Sequence, residues 1–324
     1  MSSVRLTICI PTFDRLGYLR EAVASARAQT LRDIEILIGD DGDSPELRSW
    51  CLSQSAEDPR VRYEKTPGRL RLAGNWNFLA GRARAEYVTL MGDDDRLLPS
   101  FAERLIEMAQ TTAQAPIAVV FANHYMIDTH GERLINESHE TTRRYGRARL
   151  RDGVVERVQS VVWGNAIAIS ASIVRREDVV RLGFKNDINT PELELFARMA
   201  SQGARFAFVN DYLAEYRTHL GSETSSGLTI DRLAEYLEVV DVPSEVEPAK
   251  RQCLQAMLVR GVGIRLGRGD VEGARSLRDS RYYPRTLMDA RVWAQRLILT
   301  LPDSLVPPVY ASLRRLDRSV RGDQ

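Results

Sequence analysis

The chain has 324 residues, enough for one large α/β domain and a smaller appendage. Hydrophobic residues make up 44% and charged residues 27%, a balance that excludes an intrinsically disordered chain. With 45 basic against 44 acidic residues, it lacks the basic excess of a nucleic-acid binder. Cys9, Cys51 and Cys253 are odd in number and far apart, which reads as reduced thiols in a cytoplasmic protein. No signal-peptide layout precedes the first strand-like residues, and no run approaches the ~18 apolar residues that span a bilayer.

Val4–Ile10 reads as a buried strand that ends at Pro11-Thr12, with Asp14 placed to cap a helix through Leu16, Leu19, Val23 and Ala26. Asp33–Asp40 is a second strand, Pro45 opens a short helix to Leu52, and Val61–Glu64 is a third strand. A helix over Leu72–Ala83 and a strand over Glu86–Met91 follow. This alternation predicts a mainly parallel sheet with helices on both faces, whose ligands bind outside the C-terminal strand ends.

Pro99–Thr111 reads as helix and Ile117–Asn123 as strand. The polar, weakly patterned stretch His124–Arg151 reads as a long loop or short hairpin. A strand over Ile167–Val174, a helix over Arg176–Leu182 and an amphipathic helix over Pro191–Gln202 come next. Two short strands, Arg205–Val209 and Leu213–Arg217, close this half. The pattern is helical from about Gly227 onward, so the expected domains are residues 1–226 and a helical region over 227–324.

Two apolar strands end in carboxylates: Asp40-Asp41 after the second, and Asp93-Asp94-Asp95 after the fourth. Crowded carboxylates repel unless a cation neutralises them. Oxygen ligands suit Mg²⁺ or Mn²⁺, which bind through one or two carboxylates plus a substrate's phosphates. The pattern points to one crevice that holds a metal and a nucleotide.

The ordered set of an IPTFDR turn, a DD pair, a DDD loop, an ELELFAR helix and a YRTH element resembles the family 2 glycosyltransferases, enzymes of GT-A fold. The resemblance covers roughly the first 225 residues. It implies that Pro11, Thr12 and Phe13 cup the nucleotide base and that Asp41 accepts a hydrogen bond from a uracil imide. Arg71 and Asn75 fall where relatives contact nucleotide or sugar. The family's DxD signature aligns with its first Asp on Gly92 and its metal-binding Asp on Asp94. Asp93 then lies near the ribose or the ion, and Asp95 acts as a helper. Glu192 takes the position of the catalytic base, with Glu194 as the alternative. In Tyr216-Arg217-Thr218-His219, His219 completes the metal shell or touches the diphosphate, and Arg217 is a secondary site residue.

The implied reaction is an inverting displacement that moves a sugar from a nucleoside-diphosphate donor to a hydroxyl of a glycan or lipid-linked acceptor. UDP-sugar is the expected donor and dTDP-sugar the alternative, assisted by Mn²⁺ or Mg²⁺. A nucleotidyltransferase would carry a Gly-rich, basic loop after strand one, where IPTFDR stands instead. A non-catalytic sugar-nucleotide-binding protein is the other reading, suggested by the glycine at position 92 and the glutamate at 192. In the C-terminal region, Trp293, Leu297, Ile298 and Leu301 and later leucines alternate with arginines. Such helices suit an anionic membrane surface at the inner face, packing on the catalytic domain, or contact with a second copy in a homo-oligomer.

Overall fold

The computed structural model describes residues 4–111, 115–218, 229–285 and 290–321, the last eight of them as backbone alone. The chain divides into two compact units: Met1–Asn186 with Thr190–Glu223, and Asp187–Asn189 with Thr224–Gln324.

In the first unit β1 (Leu6–Thr12), α1 (Leu16–Arg27), β2 (Ile34–Asp40), α2 (Pro45–Glu57), β3 (Val61–Lys65), α3 (Arg71–Arg82) and β4 (Tyr87–Leu90) alternate. There follow β5 (Arg96–Leu97), α4 (Phe101–Gln110), β6 (Val119–Ile127), α5 (Ile135–Arg144), β7 (Gly153–Val154) and α6 (Val158–Trp163). Then come β8 (Ser172–Arg175), α7 (Arg176–Leu182), α8 (Pro191–Ser201) and β9 (Phe206–Arg217).

These strands form one sheet in the order β3-β2-β1-β4-β8-β6-β9-β5, with β7 added on β9. Strands β1 to β4 are parallel, and so are β6 and β9; β8 runs antiparallel between β4 and β6. Every residue of β1 and β2 is buried, because both sheet faces carry helices. On one face Leu6, Ile8 and Ile10 pack with Leu19 and Val23 of α1 and with Phe101 and Leu105 of α4. On the other, Trp76 of α3 meets Phe184, and Phe196 of α8 meets Phe206 of β9.

Several local expectations change. Strand β1 continues through Pro11 and Thr12, paired with Gly39 and Asp40, since a proline forfeits only one ladder donor. Helix α2 runs past Leu52 to Glu57. The stretch His124–Arg151 is neither long loop nor hairpin: it holds the end of β6, helix α5 and a 3-10 turn at Arg147–Arg149. Helix α5 escapes a hydrophobic pattern because its buried positions are Ser138 and Thr142. The two expected closing strands are one, β9, in which Asn210 and Asp211 bulge out of register with β6.

The second unit is helical: α9 (Ile230–Glu238), α10 (Glu247–Gly267), α11 (Val271–Asp279), α12 (Ala290–Ile298) and α13 (Val306–Arg321). Its core joins Leu233 and Leu237 to Leu254, Leu258 and Val262 and to Leu277. Gln295 accepts from Tyr283 Oη at 2.7 Å and donates to the Val259 carbonyl at 3.0 Å, which ties α12 to α10. Among the described residues no helix is long and apolar enough to cross a membrane.

Candidate active site

The parallel strands β2, β1 and β4 are neighbours, so the segments that leave their C-terminal ends converge on one edge. After β1 comes Phe13, 41% exposed, with the Arg69 guanidinium stacked 3.3 Å from its ring centroid. The next residue, Asp14, has φ 53° and does not cap α1 as its sequence position suggests. It accepts instead from the N–H groups of Asp43 at 3.1 Å and Ser44 at 3.0 Å, so it fastens the β1 loop to the start of α2.

After β2, Asp41 is buried and heavily committed. Its Oδ1 accepts from Leu70 N–H at 2.7 Å and Thr66 Oγ1 at 2.9 Å, and its Oδ2 from Arg71 N–H at 2.7 Å. These bonds hold the start of α3, where Arg71 has φ 61°, a backbone state that costs a non-glycine residue about 1–3 kcal/mol. A carboxylate has about four acceptor positions, three of them filled here, and Arg69 Nε lies 3.7 Å from Oδ2 as an ion-pair partner. Phe13, Asp41, Lys65, Thr66 and Arg69 line a cavity of about 430 Å³. Asn75 lies elsewhere: it is buried behind β2, where Nδ2 donates to the Gly39 carbonyl at 2.7 Å. A side chain on Gly39 would collide with its Oδ1.

After β4 the three acidic residues divide their tasks. Asp93 is buried and accepts from Thr12 Oγ1 at 2.8 Å, with Arg15 paired to both of its oxygens. Burial pushes its carboxyl up to about 6, against the pull of Arg15. Asp95 is buried too; it accepts from Ser170 Oγ at 2.5 Å and from the Arg217 N–H at 2.9 Å. Burial, and then the charge of Asp94, raise its pKa. Asp94 lies nearer the rim, its side chain 16% exposed and its Oδ2 3.0 Å from Arg15 Nη1. Space at Gly92 is tight: a Cβ there would lie 2.6 Å from Asp94 Oδ1 and 3.2 Å from Asp95 Oδ2.

Arg217 closes the loop from β9. Its buried guanidinium donates to the main-chain oxygens of Asp94 at 2.7 Å, Asp128 at 3.1 Å and Thr129 at 3.2 Å, and pairs with Glu21 at 2.7 Å. It is thus a clamp on the acidic loop rather than a group in the crevice. His219 lies outside the described residues.

Helix α8 carries the two candidate bases at different levels of freedom. Glu194 is 2% exposed and held in a two-pronged pair with Arg198, at 2.6 and 2.7 Å, so it is engaged in structure. Glu192, next to Pro191 in the first turn, is partly buried, and burial pushes its carboxyl up to about 7. A base poised near neutrality matches the task of taking a proton from a hydroxyl.

Oxygen donors at Asp94 fit a divalent ion that draws its remaining ligands from a diphosphate. Among the described residues no three His, Cys, Asp or Glu side chains gather to hold a metal by themselves. Sequence reasoning passed over Arg15, Ser170 and Glu21. Arg15 stands inside the IPTFDR turn, but nothing in the sequence announces that it reaches a loop 78 residues away.

A family model described as "Glycosyl transferase family 2" matches residues 7–177. A GalNAc(5)-diNAcBac-PP-undecaprenol beta-1,3-glucosyltransferase from Campylobacter jejuni is 31% identical over 106 residues, 32% of this chain and 34% of that enzyme. The match thus spans about a third of that relative's length. An uncharacterized glycosyltransferase from Rickettsia typhi is 23% identical over 71% of this chain and 69% of its own. Among solved structures, Staphylococcus aureus TarS 1-349 in complex with UDP-GlcNAc superposes with a TM-score of 0.64 at 14% identity, covering 96% of this chain and 92% of that one. A mannosyltransferase from Pyrobaculum calidifontis in complex with GDP-Man and Mn²⁺ gives 0.59 at 14% identity, over 93% of this chain and 88% of its own. The two superpositions establish the GT-A fold.

Proposed function

The chain belongs to glycosyl transferase family 2, and on that premise we propose that it moves a sugar from a nucleoside diphosphate to an acceptor hydroxyl in one inverting displacement. The carrying observation is the meeting of three loops on adjacent strands: Phe13 and its cavity after β1, Asp41 after β2, and Asp93 to Asp95 after β4. The catalytic domain in this reading is residues 1–226.

The base sits in the cavity beside Phe13, and Pro11 and Thr12, buried at the end of β1, carry Phe13 to it. The fourth acceptor position of Asp41, beside Arg69, suits a single N–H, as on the imide of uracil or thymine, so the donor is a UDP-sugar with a dTDP-sugar as alternative. Arg71 serves this pocket through its N–H on Asp41, and Asn75 serves it indirectly through its bond to Gly39 of β2. Asp94 would hold a Mn²⁺ or Mg²⁺ ion, with His219 as a further ligand, and that ion would offset charge on the departing diphosphate. Glu192 accepts the proton of the acceptor hydroxyl as the new bond forms, which requires its carboxylate form. A single displacement inverts the anomeric centre.

The acceptor in this reading is a glycan, free or lipid-linked. The Campylobacter relative is named for an undecaprenol-linked acceptor. Here Trp293 and Leu297, one helical turn apart on α12, are each half exposed and suit a membrane surface. The working location is therefore the cytoplasm, peripheral to the membrane's inner face.

Calorimetry with UDP, dTDP, GDP and ADP, in Mn²⁺, Mg²⁺ or EDTA, tests the donor site on wild type and Asp94→Ala. Metal-dependent binding of UDP or dTDP that Asp94→Ala abolishes supports the reading. Binding indifferent to both metal and Asp94 sinks it.

A further inference from the structure

Arg15 grips the acidic loop at three points and has no part in the reaction as described so far. Its Nη2 meets Asp93 Oδ1, its Nε lies 3.3 Å from Asp93 Oδ2, and its Nη1 lies 3.0 Å from Asp94 Oδ2. The partners differ in their access to solvent. The Asp93 side chain is wholly buried, whereas 41% of the Arg15 side chain is exposed. The guanidinium therefore reaches in from the rim, and an open path leads back out.

A second cation at Asp94 would lie within a few ångströms of that guanidinium. Like charges repel at such range in a partly dry crevice, so the two compete for the carboxylate. Withdrawal without replacement is also unfavourable, because it leaves the buried Asp93 with Thr12 alone. Arg15 thus holds the loop in shape until another positive charge arrives. Once released, its planar fork of N–H donors matches two oxygens of a diphosphate. Helix α1 starts at the next residue, and its dipole favours an anion at the same end.

We propose that Arg15 is a resident counter-ion of the Asp93-Asp94 pair, which a divalent ion displaces from Asp94 and which then binds the donor's diphosphate. It rests on the nucleotide-diphosphate reading above and assigns to that site a positioning residue. By linkage, a group that competes with the metal in the free protein weakens metal binding there, and the same group strengthens the hold on diphosphate.

The test measures Mn²⁺ alone, by the electron paramagnetic resonance of the free ion, and UDP at saturating Mn²⁺ by calorimetry. Wild type, Arg15→Gln, Arg15→Lys and Asp94→Ala are compared, with circular dichroism to show that each is folded. Arg15→Gln should bind Mn²⁺ about ten-fold more tightly than wild type and UDP at saturating Mn²⁺ about ten-fold more weakly. Arg15→Lys, which keeps the charge and loses the fork, should match wild type for Mn²⁺ and resemble Arg15→Gln for UDP. Equal Mn²⁺ affinity in wild type and Arg15→Gln overturns the proposal, and so does UDP binding unchanged by Arg15→Gln. Asp94→Ala separates the two readings. If it retains wild-type Mn²⁺ binding, the metal assignment itself fails; if it loses Mn²⁺ while Arg15→Gln changes nothing, only the role of Arg15 fails.

Discussion

Arg217 Nε donates to the main-chain carbonyl of Asp94 at 2.7 Å, so the last residue of β9 holds the backbone of the loop that carries the candidate metal ligand. The same side chain serves two further carbonyls and Glu21 with no exposure to water. Arg217→Met leaves those acceptors and a buried loop unpaired. It should cost about 3–5 kcal/mol, the range for breaking one side of a buried pair. Thermal melts followed by circular dichroism check this, and a loss under 1 kcal/mol would contradict the clamp.

Gly92→Ala places a methyl group 2.6 Å from Asp94 Oδ1. That oxygen is the end of a side chain and can swing away, so the fold should survive with its melting temperature little changed. Transfer activity should fall by about ten-fold or more, since displacement of a catalytic group by an ångström has effects of that order. Wild-type activity in this variant would mean that the position of Asp94 is not critical.

For Glu192 the sign of the pH effect follows from its role. Its carboxyl is pushed up to about 7 by burial, so below that pH it is mostly protonated and cannot accept a proton. The turnover rate should climb with unit slope on the acid side and level off above about 7. Glu192→Gln should lose roughly 10²–10⁴ in kcat and leave donor binding intact. Steady-state kinetics over pH 5 to 9 decide the matter, and a flat profile would remove Glu192 from the role.

Asp41 does structural and recognition work at one position. Asp41→Ala removes acceptors from Leu70, Arg71 and Thr66, and should destabilise the fold by about 0.5–2 kcal/mol, as for a lost helix cap. It should also weaken UDP and narrow its margin over ADP. Asp41→Asn, which keeps one acceptor oxygen, should fold better yet discriminate as poorly. Denaturant melts and nucleotide titrations separate the two effects.

Trp293→Ser with Leu297→Ser tests the membrane assignment. Wild type should sediment with vesicles rich in anionic lipid and lose that binding in the double variant, with the helical signal unchanged. Equal sedimentation of both proteins would move these residues to another role.

The parts of the site legible in sequence are those built from short-range pattern. An apolar run that ends in acid marks a strand end, as at Asp41 and at Asp93 to Asp95, and the strand order brings these ends together. The preference for Glu192 over Glu194 comes from the family alignment, and burial with Arg198 gives it a physical reason. What escaped is contact across long separations. Arg15 lies in a turn already noticed, but its partners are set by the adjacency of β1 and β4. Helix α5 escaped for a different reason, since a buried face of Ser138 and Thr142 gives no hydrophobic period. Asp14 looked like a cap because of its position before Leu16, yet its φ of 53° turns its carboxylate to the β2 loop.

The acidic loop is assembled from distant parts of the chain. Thr12 reaches Asp93 across 81 residues, and Arg217 reaches Asp95 across another 122. Loop-closure entropy opposes such contacts until the intervening sheet has formed. During synthesis the segment through Asp95 emerges first and waits for β9, its carboxylates crowded and its backbone unclamped. A chain cut short before residue 217 would carry every carboxylate of the loop and lack the clamp that fixes its backbone.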